Sequence, residues 1–425
     1  TSTLERENNS ITYPSASVSF IATNAFEALK SDGLGLNYMK VRFGYGSSAG
    51  FPSVYSTRNT LSLNGRAFVD ESGTVVSSNT TSDFLGNPAL KPETVSELEL
   101  GIDSRLLDNR LGLNVSIFKR ETKDLITNKD LDPSTGFTFT TLNGGDLEVK
   151  GIEADLDLDI FKGIDNGFGW NTTVNFYADE PTVTRLPDGI DQIIIGNFFT
   201  ADVKNAAIEG QPYGVFIGDA VRRDADGNKI ITASNGFYDF DPDDTIIGDP
   251  NPDWTAGFTN TFRYKGFSLY ALINYRHGGD FMSKTATTLL SRGVIDFPFD
   301  RTGSFILPGV NEDGSPNTTQ IGASDIAFEN WLNGDEFEIY DGSTLRLQEI
   351  SLGYDFNARA LEKTPFTSLS VKLSGQNLWY KAFNLPDGSN VDTNTLANGV
   401  GNNIGLEYFS GPSAKRYGFS IKATF

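Results

Sequence analysis

The chain has 425 residues, a formal net charge of -21 and a hydrophobic content of 38%, and no stretch approaches the roughly 20 consecutive apolar residues that a membrane-spanning helix requires. With no cysteine and one histidine, the sequence holds almost no material for disulfides, thiolate metal sites, a catalytic triad or a histidine-based zinc site, so enzymes are disfavoured. The acidic excess also argues against nucleic acid or an anionic lipid surface as the partner, because both require a basic face.

The residue content favours strands over helices. Glycine at 44 residues, an aromatic content of 12% and only 2 methionines are typical of many strands joined by turns. A mean hydropathy of -0.27 is compatible with a membrane barrel, whose strands alternate lipid-facing and lumen-facing residues. Thr1 opens a polar run without the features of a signal peptide, so we expect that a signal was removed or that the chain starts within a longer protein.

Apolar and polar side chains alternate at a two-residue period along much of the chain. This alternation predicts about eleven extended segments, whose bounds are uncertain by a few residues. They lie near residues 14–27, 38–46, 94–107, 110–122, 146–161, 167–183, 254–265, 267–281, 343–356, 367–381 and 413–425.

The segment 151–160 shows the alternation most cleanly. Its even positions carry aliphatic side chains, which are Ile152, Ala154, Leu156, Leu158 and Ile160. Its odd positions carry an acidic row, which is Glu153, Asp155, Asp157 and Asp159. Only an extended strand separates side chains in this way, so we predict a strand with an apolar face and an acidic face. The row is too regular for a paired-carboxylate active site, and we expect it to bond to a plug or to basic residues such as Arg105 and Lys372.

Aromatic residues bracket several predicted strands. Trp254 and Tyr264 stand at the two ends of one segment, and Phe267 and Tyr275 stand near the ends of the next. This placement predicts two aromatic girdles at the two headgroup layers of a membrane. His277 fits a polar position in one girdle. The alternative, a soluble β-sandwich with aromatic residues in its core, stays open at this point, although strands of that fold are usually shorter.

Connections of two kinds alternate along the chain. Tight turns are predicted at 107–110, 161–167 and 264–266, and long loops at 186–253, 282–342 and 381–412. Membrane barrels sort their connections in this way, with short periplasmic turns and long extracellular loops. We therefore predict an all-β fold, a transmembrane antiparallel up-and-down β-barrel. Because single-chain barrels close with an even number of strands, an odd count predicts that the chain is incomplete. If the parent is one of the 22-stranded plugged transporters, these segments would be strands 12 to 22.

Several local motifs occur in a fixed order. They are MKVRFGYG at 39–46, GNPALKPET at 86–94 followed by ELELG at 97–101, KGIE at 150–153, IGDPNPDW at 247–254, YKGF at 264–267, DGSTLRL at 341–347, GQNL at 375–378 and the closing RYGFSIKATF at 416–425. Taken together, they resemble the carboxyl-terminal half of the SusC/RagA branch of TonB-dependent outer-membrane transporters of Bacteroidetes.

The resemblance implies a function and a set of partners. Residues 1–425 would be the carboxyl-terminal portion of the receptor barrel, with the plug domain and TonB box absent from this chain. The protein would be integral to the outer membrane and would import oligosaccharides or peptides, together with a SusD-like surface lipoprotein and with TonB. The alternatives are a passive outer-membrane porin, a barrel-anchored hydrolase, which one histidine barely permits, and a secreted β-sandwich adhesin.

Two groups of loop residues are candidate contacts. The loop aromatics Phe198, Phe199, Phe237, Tyr238, Trp331 and Tyr408 could touch substrate or lid, although packing within the loops is the interpretation we favour. Asp224, Asp226 and Asn228 imitate the start of a calcium loop. Lys229 stands where that loop requires glycine, so we favour a hairpin turn and expect no cofactor.

Overall fold

The computed structural model describes residues 2–30, 35–163, 167–197, 203–296, 300–324, 328, 332, 334–394, 396, 401 and 404–425. Within these residues, eleven strands form one antiparallel sheet, which we call the wall sheet. Its strands follow chain order and are β1 (Ser15–Ile21), β2 (Leu36–Gly50), β3 (Glu93–Leu106), β4 (Leu111–Lys123), β5 (Asp146–Lys162), β6 (Gly169–Arg185), β7 (Trp254–Tyr264), β8 (Phe267–His277), β9 (Thr344–Asp355), β10 (Ser368–Ala382) and β11 (Arg416–Thr424).

Each wall strand pairs with its neighbours in sequence, which is the up-and-down order that the sequence predicts. The predicted strands are confirmed, and most bounds agree within a few residues. The main difference is at 14–27, because the chain leaves the sheet after Ile21 and forms a helix, α1 (Ala22–Ala25), and a 3-10 turn at Glu27–Leu29. The predicted segment 267–281 ends at His277, where Gly278 and Gly279 take φ values of 67° and 72° and turn the chain.

The wall sheet has an apolar face and a polar face. The apolar face lies open, since Leu100, Ile117 and Phe419 are 44%, 51% and 65% exposed. A β-sandwich would cover such side chains with a second sheet. The soluble sandwich is therefore excluded, and the exposed Leu, Ile and Phe side chains form the surface that lipid covers in a membrane barrel.

Aromatic side chains form two bands across the wall sheet. At the end with tight turns, rings touch from strand to strand, with centroid distances of 5.7 Å for Phe161–Phe168, 5.4 Å for Trp170–Phe262, 4.5 Å for Phe267–Tyr354 and 5.1 Å for Phe366–Phe425. At the end with long loops, the Trp254 ring lies 5.8 Å from Phe176, 5.1 Å from Tyr275 and 5.3 Å from His277. The two predicted girdles are present, and His277 belongs to the second.

The long loops contain small sheets of their own. The loop strands are Leu61–Val69 with Val75–Thr81; Phe84–Leu85, Phe139–Asn143 and Ile126–Asp130; Gln192–Asn197, Lys204–Ile208, Val215–Gly218 and Thr245–Gly248; Ile230–Ile231 with Val310–Asn311; Ser304–Phe305 with Ile321–Gly322; and Ile339–Asp341, Asp280–Ser283 and Leu406–Glu407. Short helices also occur, at α2 (Lys284–Ser291) and α3 (Ala358–Leu361), with 3-10 turns at Pro133–Thr135 and Asp335–Glu338. Among the described residues, no helix is long and apolar enough to cross a membrane.

Candidate functional site: the polar face and its loops

A charge cluster lies on the polar face of β2, β3 and β4. Arg42 donates from Nη1 to Glu99 Oε1 at 2.9 Å and from Nε to Asp103 Oδ1 at 3.1 Å. Its Nη2 donates to Ser116 Oγ at 3.0 Å, and Lys40 Nζ lies 2.5 Å from Asp103 Oδ2. Partly exposed pairs of this kind contribute at most about 1 kcal/mol each, so their main effect is to fix the side chains in one arrangement.

The acidic row on β5 lies beside polar side chains of β6. Strand register places an Asn or Thr of β6 directly opposite each Asp of the row. The hydrogen bonds run from Asn175 to Asp155, from Thr173 Oγ1 to Asp157 Oδ2 at 3.0 Å, and from Asn171 Nδ2 to Asp159 Oδ1 at 3.1 Å. The carboxyl groups are therefore held by neutral donors on the polar face.

The basic partners that the sequence predicted for this row are wrong within the chain. Lys372 lies on β10, which four strands separate from β5, and its Nζ is 3.5 Å from Glu349. Arg105 donates to the carbonyl oxygen of Ser104 at 3.4 Å. The error arose because composition was considered without register. Asn171, Thr173 and Asn175 also follow a two-residue period, and this signal could have identified the partners. Contact with a plug stays a prediction.

An aromatic stack stands next to the acidic row. The rings of Phe118 on β4 and Tyr177 on β6 lie 6.4 Å apart between centroids, at 22° to one another. Gly151 lies between them on β5 and pairs with Phe118 in register, and a β-carbon on Gly151 would collide with the Phe118 ring. Arg120 also lies over the Phe118 ring, with Cζ 5.6 Å from the ring centroid. The glycine of the KGIE motif thus allows two aromatic rings to meet across a strand.

Two adjoining cavities extend from this stack along the polar face. One has a volume of about 230 Å³ and the other about 500 Å³, and they share Asn175, Thr255 and Gly257. We call the combined space the polar groove. Its lining includes Glu153, Asp155 and Tyr177 at one end, the shared residues in the middle, and Asn274, Thr344, Arg346 and Asn394 at the other end. Most of these groups are neutral donors and acceptors.

A buried ion pair fixes the loop that covers one end of the polar groove. Arg346 on β9 donates to Asp392 from both terminal nitrogens, and the two side chains are 4% and 0% exposed. The hydroxyls of Thr344 and Thr393 lie 2.7 Å apart beside them. Burial acts to raise the pKa of Asp392, but hydrogen bonds from Arg346 and neighbouring groups outweigh it, so the pKa lies below its ordinary value.

A second buried carboxylate joins the last long loop to α2. Glu407, 1% exposed, accepts hydrogen bonds from Ser283 Oγ at 2.6 Å and from Thr285 Oγ1 at 2.6 Å. It also accepts one from the backbone N–H of Ser410 at 2.7 Å. Ser283 is the N-cap of α2, where its hydroxyl accepts from the backbone N–H of Ala286. These contacts hold the base of the loops in one arrangement.

The candidate loop aromatics have different surroundings. Tyr238 is 7% exposed, its hydroxyl donates to the carbonyl oxygen of Pro308 at 3.2 Å, and its ring stacks on Phe337 at 5.4 Å. Phe237 packs against the same loop core. Tyr408 makes an edge contact with Phe409 at 4.7 Å. Phe198, Phe199 and Trp331 lie outside the described residues. A role for these aromatics in substrate or lid contact stays a prediction, and the position of Tyr238 agrees with loop packing.

The residues that imitate a calcium loop form a tight hairpin turn. Asp224 Oδ1 accepts from the backbone N–H groups of Asp226 at 3.0 Å and Asn228 at 2.8 Å. The Asn228 side chain donates to Asp224 Oδ2 at 3.0 Å, and Arg223 bridges to Lys229 across the turn. Hydrogen bonds from Asn228 hold the pKa of Asp224 below its ordinary value. Internal bonds of the turn thus occupy both carboxylate oxygens.

A protein-family model identifies the family to which the chain belongs. The model for the TonB dependent receptor-like beta-barrel matches residues 2–378. The chain belongs to this family. TonB-dependent receptors of this kind are integral proteins of the outer membrane, which agrees with the exposed apolar face and the two girdles. The long loops are accordingly extracellular, and the tight turns are periplasmic.

Relatives of known sequence and structure agree with the family. The chain is 28% identical over 457 aligned residues to TonB-dependent receptor P3 of Formosa agariphila, covering 100% of this chain and 43% of the relative. It is 24% identical over 286 residues to TonB-dependent receptor SusC of Bacteroides thetaiotaomicron, covering 64% of this chain and 27% of SusC. The RagAB peptide transporter shares the fold, with a TM-score of 0.72 at 19% identity over 100% of this chain and 44% of that one. The chain thus spans less than half the length of these relatives.

The family motifs tie loop bases to the wall sheet. In the 86–94 motif, Asn87 Nδ2 donates to the carbonyl oxygen of Thr141 at 3.0 Å, and Glu93 Oε2 accepts from the N–H of Ile126 at 2.9 Å. In the 247–254 motif, the carbonyl oxygen of Pro250 accepts from Arg276 Nη2 at 3.0 Å. The motifs therefore have a physical role in addition to their use as family signatures, and this role cannot be read from their residue pattern alone.

Asp280 is a further buried group at the base of these loops. Its Oδ2 accepts from the backbone N–H of Asp249 at 2.7 Å. Burial raises the pKa of Asp280 above its ordinary value, despite that hydrogen bond. The carboxyl of Asp280 therefore takes up a proton more readily than that of an exposed aspartate.

Proposed function

We propose that this chain forms the carboxyl-terminal part of the barrel of an energised outer-membrane importer for oligosaccharides or peptides. The observation that supports the proposal is the two-faced wall sheet of a TonB-dependent receptor, apolar and exposed on one face and polar on the other. The loops cover part of the polar face, for example where Asp392 binds Arg346. The polar face would then line the path of the substrate, and no catalytic chemistry is required of the chain.

The proposed partners are a SusD-like surface lipoprotein and TonB. Support for the lipoprotein comes from the loops, which have buried cores of their own and also present exposed apolar side chains. Phe409 and Val294 are 53% and 68% exposed at this end of the molecule. A lid would cover such residues and gain about 25 cal/mol for each Å² of apolar surface removed from water. TonB would act through a part of the protein outside this chain.

Uptake measurements test the proposal. Cells expressing the whole receptor are given fluorescent oligosaccharides and peptides of matched length, with and without the tonB gene and with a proton uncoupler. The proposal predicts uptake of one class that stops when TonB or the proton gradient is removed. Uptake that continues unchanged would contradict it and would favour a passive porin. Copurification of a surface lipoprotein encoded beside the receptor tests the lid separately.

A further inference from the structure

The polar groove carries an unusual convergence of side-chain amides. A β-carbon placed on Gly257 would lie 3.4 Å from Asn274 Oδ1 and 3.8 Å from Asn175 Oδ1. Two amides from β6 and β8 therefore point over the space that the glycine of β7 leaves open. Beside them, Tyr177 pairs in register with Thr255, so an aromatic ring borders the same space.

We infer that the polar groove is a binding subsite for a neutral oligosaccharide. A pyranose ring has an apolar face of C–H groups and an edge of hydroxyls, each of which both donates and accepts. The exposed Tyr177 ring stacks on Phe118 and offers an apolar surface for the C–H face of the sugar. Asn175, Asn274 and Glu153 offer the donors and acceptors that the hydroxyls need.

The same groove is poorly suited to a peptide that binds as an added strand or through its terminal carboxylate. Peptides commonly bind by adding a strand to a free sheet edge. The groove is built on β5 to β9, each of which is paired on both sides, so the backbone groups are already used. A peptide terminus carrying a carboxylate would need a cation. Of the two arginines that line the groove, Arg346 binds Asp392, and Arg276 donates to the carbonyl oxygens of Pro250 and Gly278.

The location of the groove agrees with substrate entry from outside. Thr255 is the second residue of β7, next to Trp254 of the extracellular girdle. At the other end of the groove, Arg346 binds Asp392 of the loop that covers it. The inference rests on the proposed function in one respect, since the polar face must line the substrate path. Binding to the groove itself requires neither TonB nor a proton gradient.

Calorimetric titration of the purified whole receptor tests the inference. The probes are cellohexaose, maltohexaose, laminarihexaose, xylohexaose and mannohexaose, compared with a Gly-Ser hexapeptide. We expect at least one sugar to bind and the peptide not to bind. Tyr177→Ala should weaken sugar binding about tenfold, which corresponds to about 60 Å² of ring face lost at 25 cal/mol for each Å². Tyr177→Phe should keep most of the affinity, because the platform remains.

A glycine pair supplies the matched control. Gly257→Val fills the groove and should abolish sugar binding, whereas Gly46→Val adds the same side chain on the same face of β2, where no atom lies within 4 Å, and should leave it unchanged. Absence of binding by every sugar, equal loss in both glycine variants, or binding of the hexapeptide alone would overturn the inference. Sugar binding without TonB-dependent uptake would instead refute the proposed function and leave the subsite standing.

Discussion

Replacing Asp392 by Asn should release the loop that covers the polar groove. Arg346 and Asp392 are 4% and 0% exposed, so the substitution leaves a buried guanidinium without its charge partner. Breaking a buried pair in this way costs about 3–5 kcal/mol. Because each 1.4 kcal/mol is a factor of about ten, opening of the loop should become about 10²- to 4 × 10³-fold more frequent.

Amide hydrogen exchange in detergent or nanodiscs measures this change directly. Residues 388–394 should lose protection by that factor, while the amides of β5 should keep theirs. Lys381→Ala is the matched control, since Lys381 lies at the end of β10 and its partner Asp387 lies in the same loop. Its ion pair with Asp387 spans 3.1 Å, but the side chains are 48% and 95% exposed, so its loss should change protection less than about fivefold. Equal protection in the wild type and Asp392→Asn would refute the reasoning.

The same ion pair predicts a pH dependence with a definite sign. Because the pKa of Asp392 in the folded protein lies below the ordinary value of 3.8, the pair stabilises the loop above that ordinary value. This stabilisation is lost as the pH falls toward the lowered pKa. An ordinary aspartate has a pKa of about 4, so the carboxylate of Asp392 should stay ionised between pH 5 and 7. Loop protection should therefore be constant in that range and should fall only in stronger acid. A loss of protection near pH 6 would show that another group holds the loop.

Three further predictions concern the wall and the loops. Leu156→Arg, at the centre of the apolar face of β5, should destabilise the barrel by about 2–4 kcal/mol, measured by urea unfolding in lipid vesicles. Asp157→Arg on the polar face should cost far less, and equal effects would contradict the assignment of the faces. Gly151→Leu should displace the aromatic stack and cost about 1–3 kcal/mol in the same assay, because its side chain collides with a ring, and an unchanged stability would show that the stack is loose. Glu336→Gln should weaken the two hydrogen bonds from Arg223, at 3.1 Å and 2.5 Å. Because the Arg223 side chain is 40% exposed, proteolysis within loop 219–245 should increase by the equivalent of only about 1 kcal/mol, and unchanged cleavage rates would contradict this account.

The wall strands could be predicted from the sequence because each is two-faced. A segment that meets lipid on one side and water on the other alternates strictly, and this signal needs no knowledge of its neighbours. The predicted segment 146–161 differs from the observed Asp146–Lys162 by one residue. The segment 38–46 was too short, because Ser47–Gly50 continue as a strand beyond the last residue paired with β1, through their pairing with β3. Such an extension depends on a distant partner.

The small sheets of the loops could not be predicted in the same way. Many of their strands have only two to five residues, and some, such as Val215–Gly218, are buried along their whole length, so they show no clear alternation, and contacts distant in sequence fix them. Asn205 shows the difficulty, since its side chain donates to the carbonyl oxygen of Ile404, 199 residues further along the chain. The acidic row of β5 was identified correctly, but the polar groove was not. Gly257 can be recognised as part of the groove only when the fold places Asn175 and Asn274 beside it.

Site-directed spin labelling along β5 tests the central claim most directly. The chain contains no cysteine, so single cysteines at positions 152–159 can be labelled without background. In membranes, the account predicts that labels at even positions are accessible to molecular oxygen dissolved in lipid. Labels at odd positions should be accessible to a water-soluble nickel complex. Accessibility without a two-residue period, or even positions shielded from both reagents, would contradict the account.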